Sequence, residues 1–298
     1  MKNNVKTKIR EPFSDRLFYG FVIFLMILVL IITLYPFIYV LSMSLSDPVS
    51  VMKQEIWLYP KGFSLQSYKR VLSEPGIWRA YGNTIFYTVF GTLINVVMTV
   101  MLAYPLSRKH FWGRKAVTMF VTVTMFFSGG MIPAFLLVKN LGMYNTRWAL
   151  IIPGAIGVYN MIIARTYFSG ISESMYESAS IDGANDITIL TRIILPVSKA
   201  ILAVLTLFYA IAHWNTYFNA LLYTPNLKLQ PLQMYLVKLL IQNESSMLDG
   251  MTDTLERSMY AMQIKYATII VVIVPILCVY PFLQKHFAQG VMIGAVKE

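Results

Sequence analysis

The sequence predicts an all-α membrane protein: six transmembrane helices, with a cytoplasmic helix–turn–helix between the fourth and the fifth. Three observations predict it. The 298-residue chain is 57% apolar and only 13% charged, with a mean hydropathy of +0.59. A soluble domain carries about 25% charged residues. A chain with half that share cannot coat a water-facing surface, which argues against a soluble enzyme or a disordered tail. Second, six long stretches contain no Asp, Glu, Lys or Arg. Third, the net charge of +11 sits between those stretches, which suits a membrane surface better than a nucleic acid. A single cysteine, Cys278, excludes an internal disulfide and a cysteine-based metal cluster.

A spanning helix needs about 20 mostly apolar residues, with a range of about 17–25. Leu17 to Ser46 supplies 30 uncharged residues, Ala80 to Ser107 supplies 28, and Ala116 to Val138 supplies 23. Trp148 to Ala164 supplies 17, Ala200 to Leu227 supplies 28, and Tyr266 to Gln284 supplies 19. A charge at a helix centre costs about 2.5–3.5 kcal/mol on insertion scales, so six chargeless stretches read as six spans. The first is too long for a signal peptide and runs into Tyr35, Pro36 and bulky residues, so it reads as a retained helix.

Basic residues give the orientation. Lys2, Lys6, Lys8, Arg10 and Arg16 precede the first span, and Arg108, Lys109, Arg114 and Lys115 follow the second. Both segments are therefore expected on the cytoplasmic side, and an even number of spans returns the C-terminus there. The opposite side receives segments near 47–79, 139–147 and 228–265. Three spans carry helix breakers: Ser128-Gly129-Gly130 with Pro133 in the third, Pro153, Gly154 and Gly157 in the fourth, and Pro275 in the sixth. Such breaks are tolerated where neighbouring helices or a wet cavity satisfy the freed backbone.

Between spans four and five, residues 169–199 form the cytoplasmic segment. Ser174 followed by Glu177 is a capping-box pattern. Gly183 stands where that short helix should stop. Asn185 or Asp186 can cap a second helix, whose apolar face would be Ile187, Leu190, Ile193 and Ile194, with Pro196 before the next span.

Glu177-Ser178-Ala179-Ser180-Ile181-Asp182-Gly183-Ala184, followed by Leu195-Pro196, resembles the coupling loop of ABC importer permeases. That pattern is Glu-Ala-Ala, three residues to Gly, then about a dozen to Leu-Pro or Ile-Pro. The matching positions are Glu177, Ala179, Asp182, Gly183, Ala184, Leu195 and Pro196; Ser178 replaces the usual Ala, and Ala200 stands where many sugar permeases have a second Pro. Asn83-Thr84, Trp214-Asn215 and the tail Gln284-Lys285-His286-Phe287 to Gly294-Ala295-Val296-Lys297 resemble the carbohydrate branch, including the maltose and lipoprotein-linked sugar permeases. Ser128-Gly129-Gly130-Met131-Ile132-Pro133 resembles a subgroup associated with complex oligosaccharides.

The resemblance implies a type I ABC importer permease fold in a bacterial or archaeal cytoplasmic membrane. It divides the chain into a basic N-terminus (1–16), a permease domain (17–286) and a tail (287–298). It also implies partners: a second permease subunit in a heterodimer, two ATPase subunits gripping the coupling loop, and an extracytoplasmic sugar-binding protein. Ala179, Gly183 and Ala184 would let permease and ATPase backbones approach closely. No Gly-x-x-x-x-Gly-Lys-Ser/Thr phosphate cradle occurs in the chain, so ATP and Mg are expected on the partner ATPase and no cofactor on this chain.

Two polar stripes are candidates for a sugar path. Thr84, Thr88, Thr92, Asn95 and Thr99 share one face of span two, and Thr206, Tyr209, His213, Thr216 and Tyr223 share one of span five. Asn215 and Asn219 form a further pair, and Tyr217 or Trp214 offers a ring with a polar edge. Packing hydrogen bonds between helices account for the same residues, and both readings stand at this point. His213 has no acidic partner in any span, which disfavours a proton relay. Arg165 is expected to snorkel toward head groups and Asn83 to cap span two; the loop with Pro231, Leu232, Met234 and Tyr235 would touch the delivery protein, as the resemblance implies, or serve only as a lid. The alternative function is an ion-coupled secondary transporter or channel for a neutral solute, which would call for carboxylates inside the spans. An intramembrane enzyme is disfavoured, since His110, His213 and His286 are too few and too scattered.

Overall fold

The computed structural model describes residues 13–241 and 260–278, and every regular element among them is helical. In chain order these are α1 (Phe13–Leu45), α2 (Pro48–Met52), α3 (Gln66–Ser73), α4 (Pro75–Ser107), α5 (Arg114–Phe126), α6 (Met131–Asn140) and α7 (Val158–Ser169). Then come α8 (Glu173–Ile181), α9 (Asp186–Val197), α10 (Lys199–Trp214), α11 (Phe218–Tyr223), α12 (Leu232–Ile241) and α13 (Tyr260–Cys278). The chain divides into two compact units, Met1–Val71 with Ser245–Ile270 and Leu72–Glu244 with Val271–Glu298.

In the first unit, α1 is 33 residues of almost wholly apolar sequence, and its buried residues are confined to Ser42, Met43 and Ser44 near its end. Its apolar side chains are exposed all round, the pattern of a helix whose solvent is lipid or another subunit. After α1 the chain turns at Asp47. The Asp47 carboxylate accepts from the backbone N–H of Val49 (3.0 Å) and Ser50 (3.1 Å), and Pro48 occupies the first helical position of α2. Met43, Val51 and Ile56 close a small core with Tyr39, Met262 and Tyr266.

In the second unit, α4 is the central post. Glu74 caps it by accepting from Gly76 N–H at 3.4 Å, and Pro75 starts it. Helices α7 and α10 pack along it. Val100, Ala103 and Leu106 of α4, Met161, Ala164 and Phe168 of α7, and Ile194 and Leu205 are buried together.

The third and fourth stretches break where their Gly and Pro residues stand, the fifth breaks as well, and α13 runs through Pro275 without the expected interruption. Among the described residues, α1, α4 and α13 are each long and apolar enough to cross a membrane. Two further stretches are bent pairs: α5 and α6 meet at 116°, and α9 and α10 at 85°. Gly130, at φ +88°, lies at the first break, just before Pro133. The fourth stretch is a 3₁₀ turn at Arg147–Leu150 and non-helical chain through Gly157, with α7 beginning only at Val158. Pro153, Gly154 and Gly157 are the physical reason, since each weakens a helix interior. In the fifth, α10 stops at Trp214 and α11 begins at Phe218, so Thr216 and Tyr223 do not continue the face of Tyr209 and His213. Helix α13 already includes Tyr260, ahead of the chargeless stretch that begins at Tyr266. The basic N-terminus, the segment 242–259 and the C-terminal tail motif lie outside the described residues, so the charge-based orientation rests on sequence alone.

Candidate functional site

The helix–turn–helix after α7 is built as a rigid corner. Asp182 is the last helix-like residue of α8, and Gly183 follows at φ +80°. Ala184 N–H donates to Ala179 O at 3.0 Å and Gly183 N–H to Ser180 O at 3.1 Å. This pair of bonds is a Schellman closure, which a glycine at the left-handed position permits without Cβ strain. Asn185 then caps α9, its side-chain oxygen accepting from Thr188 N–H at 2.8 Å.

Two details of the sequence reading are corrected. Helix α8 begins at Glu173 with Ser172 flanking it, so Ser174 lies inside the first turn and is not the cap. Ser174 Oγ lies 2.7 Å from Ser172 Oγ. In α9 the buried positions are Ile189 and Ile194, and Ile187 points outward. Residues Leu190–Ile194 form a π turn. Its i→i+5 spacing shifts the inward face, so Ile189 joins Leu190, Ile193 and Ile194 against the core, and of the four residues expected there only Ile187 is turned out.

The corner is anchored to the end of α4. Tyr176 and Ala179 are buried in the same core as Val100, Ala103 and Tyr104. The Tyr104 and Tyr176 rings stack at 6.3 Å, and the Arg108 guanidinium carbon lies 3.1 Å from the Tyr176 ring centroid. Arg108 also donates to Phe168 O at 3.4 Å, tying the ends of α4 and α7 to α8. Burial pushes the Tyr176 phenol up to about 12, against the lowering effect of the facing guanidinium. At the rim, Lys109 Nζ pairs with Glu173 at 2.8 Å, and that hydrogen bond holds the Glu173 carboxyl below its ordinary value.

What the corner presents outward is equally defined. Glu177, Asp182, Gly183 and Pro196 are exposed, Ala184 and Leu195 are half-buried, and Ala179 faces the chain's own core. A Cβ at Gly183 would meet nothing within 4 Å. Ile181 is 85% exposed and Ile187 is 73% exposed, one on each side of the turn. The turn therefore carries a bare isoleucine on either side of a polar, backbone-closed corner. The sequence reading missed Ile181 and gave Ile187 to the buried face.

The polar residues of the central spans fall into two groups. Asn95, Tyr209 and His213 are buried. Asn95 donates through Nδ2 to Gly154 O, so its Oδ1 is free to accept from His213 Nε2, 2.6 Å away. The Tyr209 hydroxyl accepts from Gly157 N–H at 3.0 Å and shares a hydrogen bond with the Thr99 hydroxyl at 2.6 Å. These side chains satisfy the backbone groups that the broken fourth stretch leaves free. Asn215, Tyr217 and Asn219 are exposed around the break between α10 and α11.

Asn83 is not a cap. It is buried inside α4 and donates to the carbonyls of Lys228 (2.8 Å) and Gln230 (3.1 Å). Arg165 Nε donates to Leu106 O at 3.1 Å. Leu232 and Met234 are buried against the unit's own core rather than offered outward. Among the described residues no group of His, Cys, Asp and Glu could hold a metal.

Residues 95–293 match the binding-protein-dependent transport system inner membrane component family. The chain is 43% identical over 267 residues to protein LplC of Bacillus subtilis, covering 89% of this chain and 90% of LplC. It is 40% identical over 284 residues to the polygalacturonan/rhamnogalacturonan transport system permease protein YtcP of the same organism, covering 95% and 98%. A chain from the crystal structure of a bacterial ABC transporter involved in the import of the acidic polysaccharide alginate superposes with a TM-score of 0.88 at 37% identity, covering 93% of this chain and 99% of that one. The protein therefore belongs to the binding-protein-dependent transport system inner membrane components, the permeases of ABC importers.

Proposed function

We propose that this chain is one of two permease subunits of an ATP-driven importer that takes an oligosaccharide from an extracytoplasmic binding protein, and that the corner at Gly183 is its socket plug for the ATPase. The observation that carries the coupling role is the corner itself: closed by its own backbone bonds, clamped to α4 through Tyr176 and Arg108, and bearing exposed Ile181, Asp182 and Ile187. A rigid projection transmits displacement; a floppy loop would absorb it. On this reading the corner lies on the cytoplasmic side, and closure of two ATPase subunits moves α8 and α9 with the helices they are anchored to. Alternating access is then rocking of helix bundles about the site.

The carbohydrate assignment draws on the relatives, whose names specify polygalacturonan/rhamnogalacturonan and alginate systems. Oligosaccharides cut from acidic polysaccharides are the first class to test. Asn215, Tyr217 and Asn219, exposed where α10 breaks, are the side chains proposed for the path. Asn95, Tyr209 and His213 hold the helices that frame it.

The test is ATP hydrolysis by the assembled importer with Gly183→Arg. The substitution places a long charged side chain at a φ of +80° on the proposed contact surface. Membrane insertion and subunit assembly are expected to persist while sugar-stimulated hydrolysis is lost. Normal stimulation in an assembled mutant would remove the coupling assignment.

A further inference from the structure

A second region carries chemistry that the transport reading does not use. Between the start of α5, the loop before it and the end of α7 lies a cavity of about 950 Å³. One end is cationic: Lys109, Arg114, Lys115 and Arg165 all line it. Lys109 is paired with Glu173, but no ion pair is formed by Arg114, Lys115 or Arg165 among the described residues. Arg165 spends only its Nε on Leu106 O, which fixes the side chain and leaves both terminal nitrogens available. Helix α5 has no side-chain cap at Gly113, so its first N–H groups add to the positive field.

The other end is apolar. Met119, Val123 and Phe126 line the cavity further along α5. From Lys115 to Phe126 the helix rises roughly 16 Å, so one wall runs from cations at the water-facing end to hydrocarbon contacts deeper in. Trp112 lies at the cationic mouth and is 93% exposed, and Trp is the side chain that favours the membrane–water boundary. A free phosphate would need only the cationic end. The whole gradient fits a phosphodiester with an acyl chain attached. Three cations without counter-charges also disfavour a head group that carries its own ammonium.

We propose that this cavity is a binding site for an anionic glycerophospholipid, its phosphate held by Arg114, Lys115 and Arg165 and its acyl chain laid along Met119, Val123 and Phe126. The lipid would supply the anion that the protein does not, and would tie α5 to the end of α7.

The test uses the full chain co-purified with its partner subunits in detergent. Native mass spectrometry counts lipid retained after exposure to phosphatidylglycerol or phosphatidylcholine, and thermal unfolding is followed with either lipid or with millimolar inorganic phosphate. Phosphatidylglycerol is expected to be retained selectively and to raise the unfolding temperature, with phosphatidylcholine and phosphate each giving little. The Arg114→Gln/Arg165→Gln variant is expected to lose retention by about tenfold or more, from the loss of two cations near a membrane surface. Should that variant not assemble, Met119→Trp leaves the charges and fills the apolar end, and the same loss is expected. Equal retention of phosphatidylcholine, equal protection by phosphate, or unchanged phosphatidylglycerol retention in an assembled variant would overturn the proposal. None of these readouts depends on transport, so the site stands or falls separately from the coupling role.

Discussion

At position 91 there is no room for a side chain. A Cβ there would overlap the imidazole of His213, which sits across the α4–α10 contact and is bonded to Asn95. Gly91→Ala is expected to destabilise the protein by about 1–3 kcal/mol, the usual cost of overpacking, read as a lower unfolding temperature in detergent. The double variant Gly91→Ala/His213→Ala should recover part of that loss, because the two sites are in contact and must be non-additive. Strict additivity would show that the imidazole does not fill the space beside Gly91. A similar closeness holds at Gly157, whose added Cβ would lie 3.2 Å from the Tyr209 hydroxyl. Neither glycine could be read as a contact from sequence, because the partner is far away along the chain.

At the scale of elements, α8 is held to its neighbours through one arginine. Arg108 lies against the Tyr176 ring and reaches Phe168 O, so it joins the ends of α4, α7 and α8. Arg108→Met keeps much of the stem and removes the cation, a loss of about 0.5–2 kcal/mol. Amide exchange in residues 173–181 should quicken while that of α4 stays unchanged; unaltered protection of α8 would contradict the clamp. Much of this corner was legible from residue types alone. Gly183 as the stop and a cap at Asn185 or Asp186 followed from local backbone needs that only a few residues meet, and the structure selects Asn185. The π turn in α9 was not legible, since the apolar positions between Ile187 and Ile194 fit either period. The breakers of the fourth stretch were visible in Pro153, Gly154 and Gly157, but the fifth stretch reads as one continuous helix for a related reason. Counting charges tests whether a segment can sit in lipid, not whether its backbone bonds are made locally. Asn95 and Tyr209, from other helices, complete the bonds that let the fourth stretch stay open. The polar stripe of span two was found correctly as a face, and the structure turns that face inward.

For the molecule as a whole, the apolar surface left bare is the dominant fact. Along α1 the side chains of Leu17, Phe21, Phe24 and Ile31 are all more than half exposed. Such a surface requires lipid or a second subunit. The Gly183 corner differs from it in kind, combining exposed isoleucines with Glu177 and Asp182 on a backbone that is closed on itself. On the proposed reading, that contrast separates a greasy belt, for the bilayer and a companion permease, from a projecting contact for the ATPase. The measurement that tests this most directly is cross-linking from Asp182→Cys in a Cys278→Ser background, within the co-expressed importer. The expected result is a cross-link to the ATPase subunit whose yield changes with ATP, and protection of position 182 from membrane-impermeant thiol reagents added outside the cell. Labelling from outside, or the absence of any ATPase cross-link in an assembled complex, would contradict the account.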